Sequence, residues 1–426
     1  MGTTADKLAY LEGTKAAIRD AIAARGVDVP EGTPFRGYAG KIGEISGGGG
    51  GADVPLDPEV LYQNCRPGDW LPLPEPNNDE MYLLLHVAEG TRSLLAFSAE
   101  CTGSYTVECG TTESGAFVPD TTVSLASGAK YEGEFDAASS HSPTSEGMGQ
   151  VVVRISGQGI TSWNNKTHSR SSSHSNWNIV DCVCRLPSCS SLKMGNYDSK
   201  LAILSLRFFA WFGENQLQDM TDMFCACYSL QAVRALDTSS VTNMYSAFYD
   251  CMSLKAIPAF DTSKVTEMSD AFINCASMTW FPAMDFRAAQ SLKYTFANCY
   301  SLRGLPWLET VSCSNFESCF SYCYSLRTLP PLSMAGQPGE YGFVATFDNC
   351  FSLQKLTLVD GDYGWVGCTL CLIDSMFDHD ALIELFNSLP TISLSKKLQL
   401  SNVPGAKELT EAEQQIVKDK GWGLSL

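Results

Sequence analysis

Cysteine, histidine and clustered carboxylates are the side chains through which this 426-residue chain, with 17 Cys and 5 His, could do chemistry. Cys182 and Cys184 lie two apart with Cys189 close behind, a set of thiols able to ligate zinc. A structural zinc site takes four ligands in paired Cys-x-x-Cys spacing, which this segment lacks, so these cysteines read as core residues. His168 and His174 sit among Ser169, Ser171, Ser172, Ser173 and Ser175, and a Ser–His pair is the start of a nucleophilic centre. No Gly-x-Ser-x-Gly elbow accompanies them, and the polar stretch 164–178 reads as a solvated connection. Asp360-Gly361-Asp362-Tyr363-Gly364 offers oxygens to calcium but lacks the distal bidentate glutamate, which leaves a tight acidic turn. The expectation is no catalytic residue, no metal site and no cofactor, hence a binding protein rather than an enzyme.

Charge narrows the partners. The formal net charge is −18 and Lys and Arg form no block, so nucleic acid is not the expected ligand. No run of about 18 apolar residues is present, which argues against membrane insertion. The start Met-Gly-Thr-Thr-Ala-Asp-Lys lacks a charged-then-apolar signal, so synthesis without export is expected.

What must position any binding residue is a repeat. Phe224, Phe248, Phe272, Phe296 and Phe320 lie 24 apart and Phe347 follows after 27; Cys227, Cys251, Cys275, Cys299, Cys323 and Cys350 keep step three residues behind. Leu230, Leu254, Met278, Leu302, Leu326 and Leu353 form a further column, and Val233, Ile257, Phe281, Leu305, Leu329 and Leu356 another. Met220, Met244, Met268, Leu292 and Phe316 stand four residues before each Phe, the spacing of one helical turn. One such unit cannot bury its own apolar side, whereas a stack can. The pattern predicts a leucine-rich-type α/β solenoid of about six coils over 186–379, each with a helical turn and an extended segment, its cysteines an internal ladder of reduced thiols.

Positions outside these columns vary from coil to coil and should face solvent. Gln231, Lys255, Thr279, Arg303, Arg327 and Gln354 form one outward stripe; Tyr228, Tyr300, Tyr324 and Phe351 form another, with Trp280 and Trp307 nearby. Aromatic and Arg side chains are enriched at binding hot spots. Lys255, Trp280, Tyr300, Arg303, Tyr324 and Arg327 are therefore the candidate receptor-binding residues, with coil-on-coil packing of the rings as the alternative.

Upstream, Leu8, Leu11, Ile18 and Ile22 make an apolar helical stripe in a head over 1–45, with a seam suited to assembly or to packing within a hairpin. Gly47 to Gly51 lie in a hinge over 46–58. Short β-type runs over 59–185, from Met81–Val87 to Gln150–Ile155, suggest an antiparallel sandwich. Residues 380–426 read as a cap holding an amphipathic helix at 380–389, a strand at 397–400 and a helix at 410–420 that opens on the capping box Thr410-Glu411-Ala412-Glu413.

The columns Phe-x-x-Cys-x-Ser-Leu-x-x-Ile-Pro and the link Asp-Thr-Ser-x-Val-Thr-x-Met, at 237–244 and 261–268, resemble BspA-type bacterial surface leucine-rich repeats over about 217–356. The head, from Ala5-Asp6-Lys7-Leu8 to Ile42-Gly43-Glu44-Ile45, resembles the N-terminal segment of tailed-bacteriophage tail proteins. Arg66-Pro67-Gly68-Asp69-Trp70-Leu71-Pro72-Leu73-Pro74, Leu385-Phe386-Asn387-Ser388-Leu389-Pro390 and Lys420-Gly421-Trp422 look like stretches of the same proteins. Tyr105 to Gly110 is similar to a strand of polycystic-kidney-disease-type sandwiches without its Asp-Gly, so the fold type is carried over and no ion site. These resemblances imply a virion appendage, a tail fibre or tail-tip protein. It would attach to other virion proteins through its head, assemble as a homotrimer and bind a host cell-surface protein or glycan through the solenoid. A purely structural fibre or decoration protein and a polysaccharide-degrading tailspike are the competing readings.

Overall fold

A computed structural model describes residues 55–166, 178–195, 203–306, 308, 310, 312–333, 343–359, 369–392 and 396–426. The helical head with Leu8, Leu11, Ile18 and Ile22, the Ser–His segment at 168–175, Trp307 and the acidic turn at 360–364 lie outside the described residues.

The described chain is mostly β, with few helices, and its repeat forms a β-solenoid of about 8 turns. Ahead of it come β1 (Glu80–Val87), β2 (Ser93–Glu113), β3 (Ala116–Ala126), β4 (Lys130–Phe135), β5 (Gly149–Asn165), β6 (Ile179–Arg185) and β7 (Ser191–Lys193). β2 is long enough to pair with β4 through its first part and with β3 through its second, while β5 lies along its other edge. Register shifts between Glu100 and Tyr105 mark where this ribbon bends.

The expected sandwich strands are thus joined by hydrogen bonds in a single sheet, and that sheet continues into the solenoid. β6 pairs in parallel with β8 (Phe208–Trp211), which pairs in parallel with β9 (Ala232–Val233). Apart from His86, the run Met-Tyr-Leu-Leu-Leu-His-Val in β1 is dominated by large apolar and aromatic residues because both faces are covered. Met81, Leu83, Leu85 and Val87 enter the main core, whereas Tyr82 and Leu84 enter a smaller one on the opposite face.

The smaller core is closed by a strap ahead of β1. Its helix α1 (Pro58–Cys65) starts on Asp57, whose carboxylate accepts from the Glu59 and Val60 amides. Arg66 then gathers the chain: its Nε donates to Asp181 at 2.9 Å and its terminal nitrogens donate to the Trp70 and Leu71 carbonyls at 3.1 and 2.5 Å. The Tyr62 hydroxyl donates to the same Asp181 oxygen at 3.1 Å. Arg234, from the first repeat coil, lays its guanidinium 3.6 Å from the centre of the Tyr62 ring. Trp70 stands edge-on against His86, whose imidazole is pushed down to about 4 by burial and so is neutral at pH 7. The stretch 66–72 therefore has a structural task in this chain, clasping the β region to the first coils.

In each coil the segment around the Phe column departs from the expected helical turn. Asp222 and Ala226, Ser246 and Asp250, Asp270 and Asn274, Tyr294 and Asn298, Ser318 and Tyr322, and Ala345 and Asn349 all have positive φ, two residues before and after each Phe. A helix cannot contain such residues, so the segment is a series of tight turns. Alternate amides close these turns, as in Met223 N to Met220 O and Cys225 N to Asp222 O. The amides between them, Met220, Asp222, Phe224 and Ala226, donate forward to the next coil. On the opposite wall Lys255, Arg303, Arg327 and Gln354 donate backward, to the carbonyls of Gln231, Thr279, Arg303 and Arg327.

Inside, the phenylalanines form a spine. Centroid separations from Phe224 to Phe347 are 5.1, 5.2, 5.8, 5.5 and 5.9 Å, with planes within 20° of parallel. The ladder cysteines are free thiols; Cys227 donates to the Met194 carbonyl at 3.6 Å, and each later one donates to the Phe carbonyl of the preceding coil, Cys251 to Phe224, Cys275 to Phe248, Cys299 to Phe272, Cys323 to Phe296 and Cys350 to Phe320, at 3.1–3.3 Å. Cysteine thus serves as a small apolar filler that also satisfies a buried carbonyl. Burial raises these thiols well above their ordinary range, removing the reactive thiolate. Iodoacetamide at pH 8 is expected to modify exposed Cys65 in the folded chain and to reach the ladder only after unfolding, as read by peptide mass spectrometry. Equal labelling of Cys275 and Cys65 in the native protein would contradict this packing.

The Asp-Thr-Ser links also acquire a cause. Asp237 and Asp261 accept from the amides of Ser239 and Ser263, and Thr238 and Thr262 donate inward to the carbonyls of Asp261 and Asp285. In Asp285-Phe286-Arg287 the aspartate keeps its turn, accepting from the Arg287 amide at 2.9 Å, while buried Phe286 replaces the threonine.

The end of the stack is closed by α2 (His379–Ser388), β12 (Leu370–Cys371), β13 (Lys396–Gln399), α3 (Glu411–Asp419) and β14 (Trp422–Ser425). Between β9 and β12, β10 (Leu332–Ser333) and β11 (Leu358–Val359) pair in parallel. Thr410 and Glu413 form the expected capping box. Gly421 follows α3 at φ +85°, where an added Cβ would meet the Ile392 carbonyl at 2.1 Å.

Candidate binding surface

Two strips of outward side chains run along the solenoid. The first begins with the residue after each ladder cysteine, where the close spacing of successive coils brings the rings into contact. Tyr300 and Tyr324 stack at 5.2 Å and 10°, and Tyr324 and Phe351 at 5.5 Å and 2°. The inner ring faces are consumed by this stacking, yet the three residues remain 41%, 40% and 41% exposed. What reaches solvent is a strip of ring edges carrying the hydroxyls of Tyr300 and Tyr324. Tyr322 meets Tyr324 edge-on at 6.2 Å and is itself exposed.

The second strip is the backbone ladder of Lys255, Arg303 and Arg327. Arg327 donates its amide to the Arg303 carbonyl at 2.9 Å, which places the two on adjacent coils. Lys255 and Arg303 are half-buried and Arg327 is exposed. Trp280 does not project: its half-buried ring lies against Gly304 of the next coil, where an added Cβ would come 2.9 Å from the indole.

The spacing of apolar columns did not single out the wall of turns. Asp270 and Tyr294, then Asn274, Asn298 and Tyr322, occupy the positive-φ positions, and with Tyr249 they line an open groove of about 450 Å³. The signal available in sequence was the recurrence of Asp, Asn and Ser two residues before and after each Phe, since these residues tolerate the left-handed conformation.

With this geometry in hand, one segment finds a relative. Residues 210–328 match the family model described as Mycoplasma protein of unknown function, DUF285. No curated protein sequence matches the chain. The matched segment contains Lys255, Trp280, Tyr300, Arg303, Tyr324 and Arg327 and ends before Phe351.

Cys182 and Cys184 alternate along β6 into the main core, and burial pushes both thiols well up. Among the described residues no group of three or more His, Cys, Asp or Glu could hold a metal ion. A second cleft, of about 620 Å³, lies in the bent ribbon, where the His141 ring meets Asp120 at 2.5 Å and Cys109 Sγ meets the Tyr131 hydroxyl at 3.3 Å.

Proposed function

We propose that the chain is a virion appendage of a tailed phage or prophage, of the tail-fibre or tail-tip kind, whose solenoid binds a host surface receptor. The observation that carries this reading is the exposed, stacked strip Tyr300–Tyr324–Phe351 on an extended scaffold. Rings already fixed by their neighbours lose little entropy on binding, and Tyr edges offer both apolar contact and hydroxyls. The likeness of the head and of 66–74 to phage tail proteins supplies the setting. A helical head would attach to other virion proteins, the bent β region, read as a polycystic-kidney-disease-like sandwich, would act as spacer, and a trimer would multiply weak contacts.

The test is adsorption of the purified full chain to a panel of bacterial cells, beside the triple variant Tyr300→Ser, Tyr324→Ser, Phe351→Ser. The expected result is binding to some strains and at least a tenfold loss in the variant at unchanged thermal stability. Absence of adsorption to every strain, or adsorption untouched by the substitutions, would overturn the proposal.

A further inference from the structure

The wall of turns carries a groove whose chemistry is more specific than the strip of ring edges beside it. Tyr249, Tyr294 and Tyr322 come from different coils, so the groove crosses three coil steps, roughly 14 Å at one strand spacing each. Its volume of about 450 Å³ lies within the rough 300–1,000 Å³ range of small-ligand clefts. Between the rings stand the planar polar groups of Asp270, Asn274 and Asn298, the two asparagines one 24-residue repeat apart and Asp270 in the coil of Asn274. Asn274 donates to Asp250 at 2.5 Å, and Asp270 accepts from the Tyr245 side chain, so the polar groups are held in place before any ligand arrives.

Charge decides between ligand classes. The nearby cation Lys293 is paired with Glu317 at 2.9 Å, and the Tyr294 hydroxyl points to the same glutamate at 3.5 Å. An anionic polymer would meet Asp270 and a chain of net charge −18, and no Lys or Arg stands among the described residues that line the groove. A neutral polyol surface, in contrast, matches the alternation of ring, amide and carboxylate. Its C–H faces lie on the tyrosines and its paired hydroxyls both donate to Asp270 and bridge the asparagine amides.

We infer that the groove lined by Tyr249, Asp270, Asn274, Tyr294, Asn298 and Tyr322 binds a short stretch of neutral polysaccharide. This deepens the receptor reading above and rests on it for biological meaning. The groove adjoins the exposed strip through the Tyr322–Tyr324 contact, so one extended glycan could lie across both.

The test titrates the full chain with neutral hexasaccharides, β-1,4-linked glucose, α-1,4-linked glucose and β-1,4-linked N-acetylglucosamine, and with hexagalacturonate as the anionic control. Calorimetry reads binding. The variant Tyr294→Asn, Tyr322→Asn removes two rings while keeping residues that tolerate positive φ. At least one neutral sugar is expected to bind, with at least a tenfold loss in the variant and an unchanged melting temperature. Binding of none of the neutral sugars, binding of hexagalacturonate alone, or equal binding by the variant overturns the inference. Adsorption to cells separates this outcome from the parent reading. If the chain adsorbs and protease treatment of the cells abolishes binding while periodate does not, the receptor is a protein and the saccharide inference falls alone. If it adsorbs to no strain, the receptor reading falls.

Discussion

Phe272→Ala is expected to lower the unfolding free energy by about 3–5 kcal/mol. Phe272 has no solvent exposure and lies mid-spine, 5.2 Å from Phe248, 5.8 Å from Phe296 and 4.8 Å, edge-on, from Phe281. Each neighbour is fixed by its own coil, so the cavity cannot collapse without moving two sets of inter-coil hydrogen bonds. A solenoid is stabilised by nearest-neighbour interfaces, and a central defect weakens two of them at once. Phe347→Ala, near the end of the spine, should therefore cost less. Urea unfolding followed by far-ultraviolet circular dichroism measures both; a loss below about 1 kcal/mol at Phe272 would show that the spine does not carry the fold.

Arg66→Met should destabilise the strap by about 3–5 kcal/mol, because it leaves the Asp181 carboxylate fully buried with its nearest charged partner removed. The same substitution frees the Trp70 and Leu71 carbonyls. The double variant Arg66→Met, Asp181→Leu should recover much of that loss, since an apolar pair of similar volume needs no compensation. Thermal unfolding of the single and double variants gives the comparison, and Trp70 emission reports whether the strap has lifted. A single variant as stable as the parent would mean that Arg234 alone satisfies Asp181.

How much of this was legible in the sequence depends on which residues recur. The inward columns of Phe, Cys and Leu were readable because burial in every coil demands the same residue type every 24 positions. The turn wall was misread for a physical reason. Met220 and Phe224 stand four apart, the helical spacing, yet tight turns with Asp222 and Ala226 left-handed place both inward as well. Apolar spacing cannot distinguish the two; only the Asp, Asn and Ser at the positive-φ sites could have done so. The union of the β region with the solenoid was not readable, because the parallel pairing of β6 with β8 joins strands separated by a connection. Nor did the strap stand out, since a buried Arg66–Asp181 pair joins residues 115 positions apart.

Among the candidate residues, Tyr300 and Tyr324 stack on one another because their column is regular, and Arg303 and Arg327 sit on adjacent coils for the same reason. Trp280 looks alike in sequence but has glycine at 304 beneath it, which draws the ring down onto the sheet. The groove tyrosines escaped because they occupy different columns in different coils, so no single phase reveals them.

The two opposed sets of inter-coil hydrogen bonds have a consequence for how long such a protein can become. In an α-helix every peptide dipole points the same way, and partial charge appears at the ends. In each coil the amides of the turn wall point forward while those of Lys255, Arg303, Arg327 and Gln354 point back, so the dipoles of the two walls oppose one another along the axis. Coils can be added or lost without building up charge at either terminus. The reach of the surface the coils display is then not limited by charge gathering at the ends of the stack.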